Sequence, residues 1–101
     1  LPGISDYQIS NYDGEEISLL KAEPGAKIFQ HTHDGEEATL VLAGALQDGK
    51  SILRAGDVSI VDENHTHNPS IIGNEPCICL IVMSGKVRFT GRFTRAFNLL
   101  T

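Results

Sequence analysis

The sequence has little positive charge, few cysteines and no long apolar run, and each shortage excludes a class of protein. Eight Lys and Arg residues against 13 Asp and Glu give a formal net charge of −5. That balance argues against direct nucleic-acid binding, which needs a basic face. The longest apolar stretch, 78–83, has the length of a strand and is too short to cross a bilayer. The chain start carries no secretory signal, so we expect a cytoplasmic protein without a membrane segment.

The two cysteines, Cys77 and Cys79, are separated by a single residue. Side chains at this spacing in a strand point the same way, which is a poor geometry for a mutual disulfide. We therefore expect two buried, reduced thiols, as is usual in a cytoplasmic protein. A redox-responsive role for them stays open on the sequence alone.

At 101 residues the chain has the size of one domain with a single core, spanning 1–101. Short apolar or alternating runs lie between glycine-containing turns, which predicts an all-β sandwich or barrel. The expected strands are 16–20, 26–31, 37–43, 51–53, 57–61, 68–72, 77–83 and 86–89. The tail differs, because Phe93, Ala96, Phe97 and Leu100 would share one face of a short helix. This tail would pack on the barrel as a lid or dock onto a partner.

All four histidines lie in two His-x-His pairs beside carboxylates, and this concentration predicts a metal site. In a strand, His31 and His33 present both imidazoles on one face, because side chains alternate with period two. Three imidazoles and one carboxylate form a full set of ligands for a transition-series metal. In the second pair, strand geometry does not distinguish His65 from His67.

The carboxylate ligand is also ambiguous on local turn chemistry. A three-residue loop over 34–36 would make His33 and Glu37 cross-strand partners in a hairpin. Asp34 and Gly35 alone also form a strong two-residue turn, which would place Glu36 opposite His33 instead. Both registers remain open at this point.

The spacing Gly25-x5-His31-x-His33-x3-Glu37-x6-Gly44 resembles the first motif of the cupin superfamily at every fixed position. The second cupin motif is degenerate in this chain. Gly56 and His67 hold their positions, whereas the usual Pro, Gly and Asn are replaced by Asp62, Asn64 and Ile71. The resemblance implies that the metal ligands are His31, His33, Glu37 and His67.

The resemblance covers roughly 16–90 and implies a jelly-roll barrel, or double-stranded β-helix, that holds the metal inside. A narrower resemblance is to the cupin domain of ChrR-type anti-sigma factors, in the segments 31–37, 56–60, 77–80 and 88–91. Those regulators place a zinc-binding helical domain before the cupin. No counterpart of that domain occurs in this sequence, so the resemblance does not extend to sigma-factor binding.

Two functions from different classes fit these motifs. The first is a regulatory or sensing module in transcription regulation, with a Zn²⁺ site saturated by four protein ligands. Its partners would be a regulatory protein or a small-molecule ligand. The second is a small metalloenzyme, of the dioxygenase or isomerase type, with Fe²⁺, Mn²⁺ or Ni²⁺ and an open coordination position. The sequence offers no convincing catalytic acid or base for it. For both, the resemblance implies a homodimer through β-strand edges.

Overall fold

The computed structural model describes residues 3–12, 14–26, 31–33, 35–62, 68–84 and 87–89. All regular structure in these ranges is β-strand, so no helix there could span a membrane. The strands are β1 (Ile4–Tyr12), β2 (Glu15–Ala22), β3 (His31–His33), β4 (Glu37–Ala43), β5 (Ala45–Asp48), β6 (Ser51–Arg54), β7 (Val58–Val61), β8 (Ser70–Ile72), β9 (Cys77–Ser84) and β10 (Val87–Phe89).

The strands form antiparallel sheets of different sizes. The largest has five strands in the order β1-β2-β9-β4-β7, and a second has three strands in the order β6-β5-β8. A third sheet consists of β10 and β3. Because β9 pairs with β2 on one side and β4 on the other, it is the centre of the five-stranded sheet.

The core lies between the five-stranded and three-stranded sheets. Its buried members are Ala22, Val41, Leu46, Ile71, Cys77 and Cys79. Along β2 the fully or largely buried positions are Ser18 and Ala22, which is the even-numbered face that period-two alternation sends inward. Leu46 and Ile71 are contributed by β5 and β8 of the opposite sheet.

The all-β prediction is confirmed, but two strands were missed. The bounds of β4 match the prediction, whereas β1 and β5 were not expected. β1 is a mostly exposed edge strand whose register shifts between Gln8 and Ser10, so its apolar residues do not alternate regularly. β5 has only four residues and follows directly after Gly44. The tail segment with Phe93 and Phe97 lies outside the described residues.

The hairpin predicted between the first histidine pair and the glutamates is wrong in both of its registers. β3 pairs with β10, which places His33 opposite Val87, and β4 pairs with β7 and β9. The reason is the short connection between β3 and β4. A Cβ on Gly35 would overlap the backbone of Ser84, so only glycine lets this connection pass against the end of β9. The chain therefore moves from one sheet to another at this point.

Candidate metal centre

Glu37 is a carboxylate inside the fold. It is the first residue of β4, and its side chain is only 7% exposed. Its cross-strand neighbours are Val61 on β7 and Met83 on β9, and both are apolar. An ionised carboxylate in such surroundings is costly unless hydrogen bonds or a cation offset its charge. Its position fits the donor that the first motif assigns to a metal.

The hydroxyl of Thr39 is part of the same interior surface. Thr39 lies two residues after Glu37 on β4, and therefore on the same face. Its Oγ1 donates a hydrogen bond to Oε1 of Glu37 at 3.4 Å. A neutral donor beside a carboxylate fixes its orientation, as supporting residues around metal sites commonly do. Thr39 was not among the predicted site residues, although its two-residue spacing from Glu37 would have indicated it.

The two glutamates of the ambiguous pair have different environments. Glu36 is exposed, whereas Glu37 is buried. The amide of Glu36 donates to Oγ of Ser84 at 3.1 Å, and the amide of Ser84 donates to the carbonyl of Glu36 at 3.1 Å. The end of β9 thus fixes the backbone just before Glu37. This anchoring sets which of the two carboxylates enters the interior.

The histidines are described only in part. His31 and His33 are the first and last residues of β3, where the backbone of β10 pairs with them at Phe89 and Val87. His65 and His67 lie outside the described residues. Among the side chains that the structure does describe, no group of three or more His, Cys, Asp or Glu could hold a metal. Glu37 is therefore the one predicted ligand whose side chain can be placed.

The two thiols lie in the same interior. Cys77 and Cys79 are buried and free, with their Sγ atoms 3.5 Å apart on the inward face of β9. The predicted burial of both thiols is confirmed, and they form no disulfide with each other. Burial is the main cause that raises the pKa of Cys79 to about 12, and Cys77 and the Glu37 carboxylate add to it. Burial also raises the pKa of Cys77, against a lowering by its hydrogen bond with Cys79. Both thiols are held in the protonated form near neutral pH.

Gly25 and Gly44, the first and last residues of the first motif, have different physical roles. Both have positive φ, 80° at Gly25 and 74° at Gly44. A Cβ at Gly25 would meet nothing within 4 Å, so that glycine serves only the turn. A Cβ at Gly44 would lie 2.9 Å from Cα of Cys77 and still closer to the carbonyl of Pro76. Gly44 therefore lets β4 and β5 turn against the start of β9, where the thiols begin.

Solved structures define the class of the fold. A double-stranded β-helix protein from Klebsiella pneumoniae matches with a TM-score of 0.77 and 21% identity, over 90% of this chain and 87% of that one. A cupin-like protein of unknown function from Ralstonia eutropha matches with a TM-score of 0.80 and 14% identity, over 89% of this chain and 60% of that one. At these identities the likeness concerns the fold alone, and it shows a cupin-like fold.

Sequence comparison narrows this class to one family. The model of the ChrR cupin-like domain matches residues 4–88, and the chain belongs to that family. The anti-sigma-E factor ChrR of Cereibacter sphaeroides is 39% identical over 77 residues, which are 75% of this chain and 36% of that protein. The structure of Rhodobacter sphaeroides SigE in complex with the anti-sigma ChrR matches with a TM-score of 0.80 and 31% identity, over 83% of this chain and 46% of that one. The chain thus spans less than half the length of these relatives.

Proposed function

We propose that this chain is a metal-binding regulatory module, with His31, His33, Glu37 and His67 as ligands of one divalent ion. Its membership of the ChrR cupin-like family supports the regulatory class. The observation that carries the metal site is the burial of Glu37 at the start of β4, beside an exposed Glu36. Both glutamates belong to the first motif region, and only Glu37 is inside the fold.

Zn²⁺ is the metal that we propose. Imidazole nitrogens and carboxylate oxygens are ordinary zinc ligands, and a site with four protein ligands contributes directly to folding. A closed site of this kind suits a regulatory module that signals through a change of conformation, because gaining or losing the ion changes the stability of the fold. Thr39 would keep Glu37 oriented through the hydrogen bond to Oε1.

The partner that we propose is a regulatory protein. The relative from Cereibacter sphaeroides is an anti-sigma factor, and the matching solved structure is a complex with SigE. Since the chain spans 36% of the former and 46% of the latter, sigma binding itself does not transfer with the cupin domain. A small-molecule ligand would be a second input to the same module. We propose that the protein acts in the cytoplasm, a reducing compartment in which thiols such as those of Cys77 and Cys79 stay reduced.

Elemental analysis of protein purified without a histidine tag tests the metal site. We expect about one Zn²⁺ per chain in the wild type and in Glu36→Gln, and far less in Glu37→Gln. The two substitutions remove the same charge from adjacent residues, so they separate ligation from net charge. Equal zinc content in all three proteins, or none in the wild type, would refute the proposed ligand set.

Cobalt substitution distinguishes a closed regulatory site from a catalytic one. A four-coordinate Co²⁺ site absorbs visible light strongly, whereas a five- or six-coordinate site with bound water absorbs weakly. We expect the strong spectrum for the closed site, unchanged by added small anions. A weak spectrum that shifts when an anion binds would favour the metalloenzyme with an open position.

A further inference from the structure

The outer face of the five-stranded sheet is apolar across all five strands. Residues that lie opposite one another in the register share a face, so the pairings can be followed across the sheet. One row consists of Tyr7, Leu19, Leu80, Leu40 and Val58. The neighbouring row consists of Ile17, Val82, Ala38 and Ile60. Every strand of the sheet contributes to the first row.

The core of the molecule does not cover this face. The buried cluster around Val41, Cys77 and Cys79 takes its sheet residues from the inward positions, which alternate with the two rows. Tyr7 is 71% exposed, Val58 58% and Ile60 66%. An antiparallel sheet with one face in water normally places polar residues on that face. Here β9 is apolar on both faces over most of its length, which is typical of a strand that is covered on both sides.

The size of the face indicates an interface. Five strands at a spacing of about 4.8 Å span about 24 Å, and eight residues of β9 extend about 26 Å. The whole face, with its polar border included, therefore has a projected area of at most about 600 Å². Side-chain relief makes the accessible area larger, which brings it near the roughly 800 Å² that each partner contributes to a standard dimer.

The border of the face is polar and carries opposite charges at its two ends. Glu15 and Lys21 are the outward residues near the two ends of β2, and both are exposed. They are separated by about 20 Å along the strand. Ser5, which lies opposite Lys21, and Ser84, which lies opposite Glu15, continue the border on either side. Lys21 also contacts Glu23 at 3.8 Å, with both side chains 53% exposed. An apolar centre with a polar border is the usual anatomy of a protein interface.

We propose that this face binds the same face of a second copy of the chain, with the strands of the two sheets antiparallel. A two-fold axis that lies in the interface and runs across the strands exchanges the two ends of β2. It places Lys21 of each copy over Glu15 of the other, and it stacks the row that contains Leu19 in each copy on the row that contains Ile17 in the other. The contact is isologous, as in most homodimers. It differs from a dimer through strand edges, because β1 and β7 keep their outer edges free, and it does not depend on the metal.

Sedimentation velocity from roughly 1 to 300 µM, at moderate salt, tests the apolar face. We expect a concentration-dependent dimer for the wild type. Ile60→Lys should weaken dimerisation by about 100-fold, because the symmetric contact buries the new charge twice. The matched control is Ile52→Lys, since Ile52 is also an exposed isoleucine but lies on β6 of the other sheet. Circular dichroism should show that both variants remain folded, because both side chains are already exposed.

A charge reversal tests the antiparallel orientation. Lys21→Glu should weaken the dimer by about tenfold, because each of the two symmetry-related contacts then brings two carboxylates together instead of an acid and a base. Adding Glu15→Lys to Lys21→Glu should restore it. Lys50→Glu in the β5–β6 turn changes the net charge equally and should leave dimerisation unchanged.

Three outcomes would overturn the proposal. A wild-type monomer over the whole concentration range would show that a second copy of the chain does not bind this face. A dimer that withstands Ile60→Lys would place the interface elsewhere, for instance at strand edges. A double variant as weak as Lys21→Glu alone would exclude the antiparallel arrangement.

Discussion

At Gly44, two separate constraints exclude every residue except glycine. Its φ of 74° lies in the left-handed region, and a Cβ would collide with the backbone of Pro76 and Cys77. Gly25 has the same kind of φ but open space around it. The pair therefore separates the cost of the backbone conformation from the cost of the close approach.

We expect Gly44→Ala to lower the free energy of unfolding by about 3 kcal/mol, and Gly25→Ala by about 1 kcal/mol. The smaller cost is that of a left-handed conformation for a residue with a Cβ, and the larger cost adds the displacement of β9. Urea unfolding of both variants and the wild type measures the difference. Equal losses would show that the approach of Gly44 to Pro76 is looser than the structure indicates.

The thiol of Cys79 makes the stability of the fold depend on pH. Its pKa in the folded protein is about 12, against an ordinary value of 9.0, mainly because of burial. The folded state therefore keeps its proton above pH 9, while the unfolded state loses it. Stability is unaffected by this group below about pH 9 and falls as the pH rises from there toward 12.

We expect the free energy of unfolding to decline above pH 9 by at most about 1.4 kcal/mol per pH unit for each thiol. Cys77 contributes in the same direction, because its pKa is also raised. Urea unfolding between pH 8 and 10 should show this slope in the wild type, and a much smaller one in Cys77→Ala/Cys79→Ala. The comparison rests on slopes, since the double variant also loses packing. An unchanged slope would assign the titration to other groups.

At the scale of elements, β9 organises both the fold and the candidate site. It carries the thiols on its inward face, lies opposite Glu37 through Met83, and holds the segment before β4 through Ser84. The connection between β3 and β4 is therefore not an independent hairpin. Its geometry depends on a residue 48 positions further along the chain.

We expect Ser84→Ala to lower the free energy of unfolding by about 1 kcal/mol and to weaken zinc binding several-fold. The variant loses the hydroxyl that accepts the amide hydrogen of Glu36 at 3.1 Å, while the backbone bond between the two residues remains. Ser51→Ala, at an exposed position that begins β6, is the control. Competition with a zinc chelator measures the affinity. Unchanged zinc affinity would mean that Glu37 does not need this anchor.

The strands that the sequence predicts well are those with a regular apolar pattern between clear turns, such as β4 and β9. β1 was not predicted because a register shift interrupts the alternation of its apolar residues. β5 was not predicted because four residues are too few to show an alternating pattern. The candidate site was likewise predictable in one part and not in another. The spacing of the motif singled out Glu37, but the choice between Glu36 and Glu37 from turn chemistry assumed a local hairpin. The contact between residue 36 and Ser84 is distant in sequence, so no local rule could have found it.

At the scale of the whole molecule, the proposed ligands would join elements that the sheets leave separate. Glu37 lies in the five-stranded sheet, whereas His31 and His33 lie in the strand that pairs only with β10 among the described elements. An ion held by both would tie β3 and β10 to the main sheet. Metal binding would then stabilise the domain as a unit, because the unfolded chain lacks the assembled site.

We expect the free energy of unfolding to rise by about 1.4 kcal/mol for each tenfold increase in free Zn²⁺ above the dissociation constant. Urea unfolding in zinc buffers measures this dependence, because folded protein binds the ion and unfolded protein binds it weakly. Glu36→Gln should show the same slope as the wild type, since its side chain is exposed, whereas Glu37→Gln should need far more zinc before any slope appears. If the free energy of unfolding of the two glutamate variants rose with zinc in the same way, Glu37 would not be a zinc ligand. A zinc-dependent gain confined to Glu36→Gln and the wild type would instead tie the stability of the barrel to the buried carboxylate.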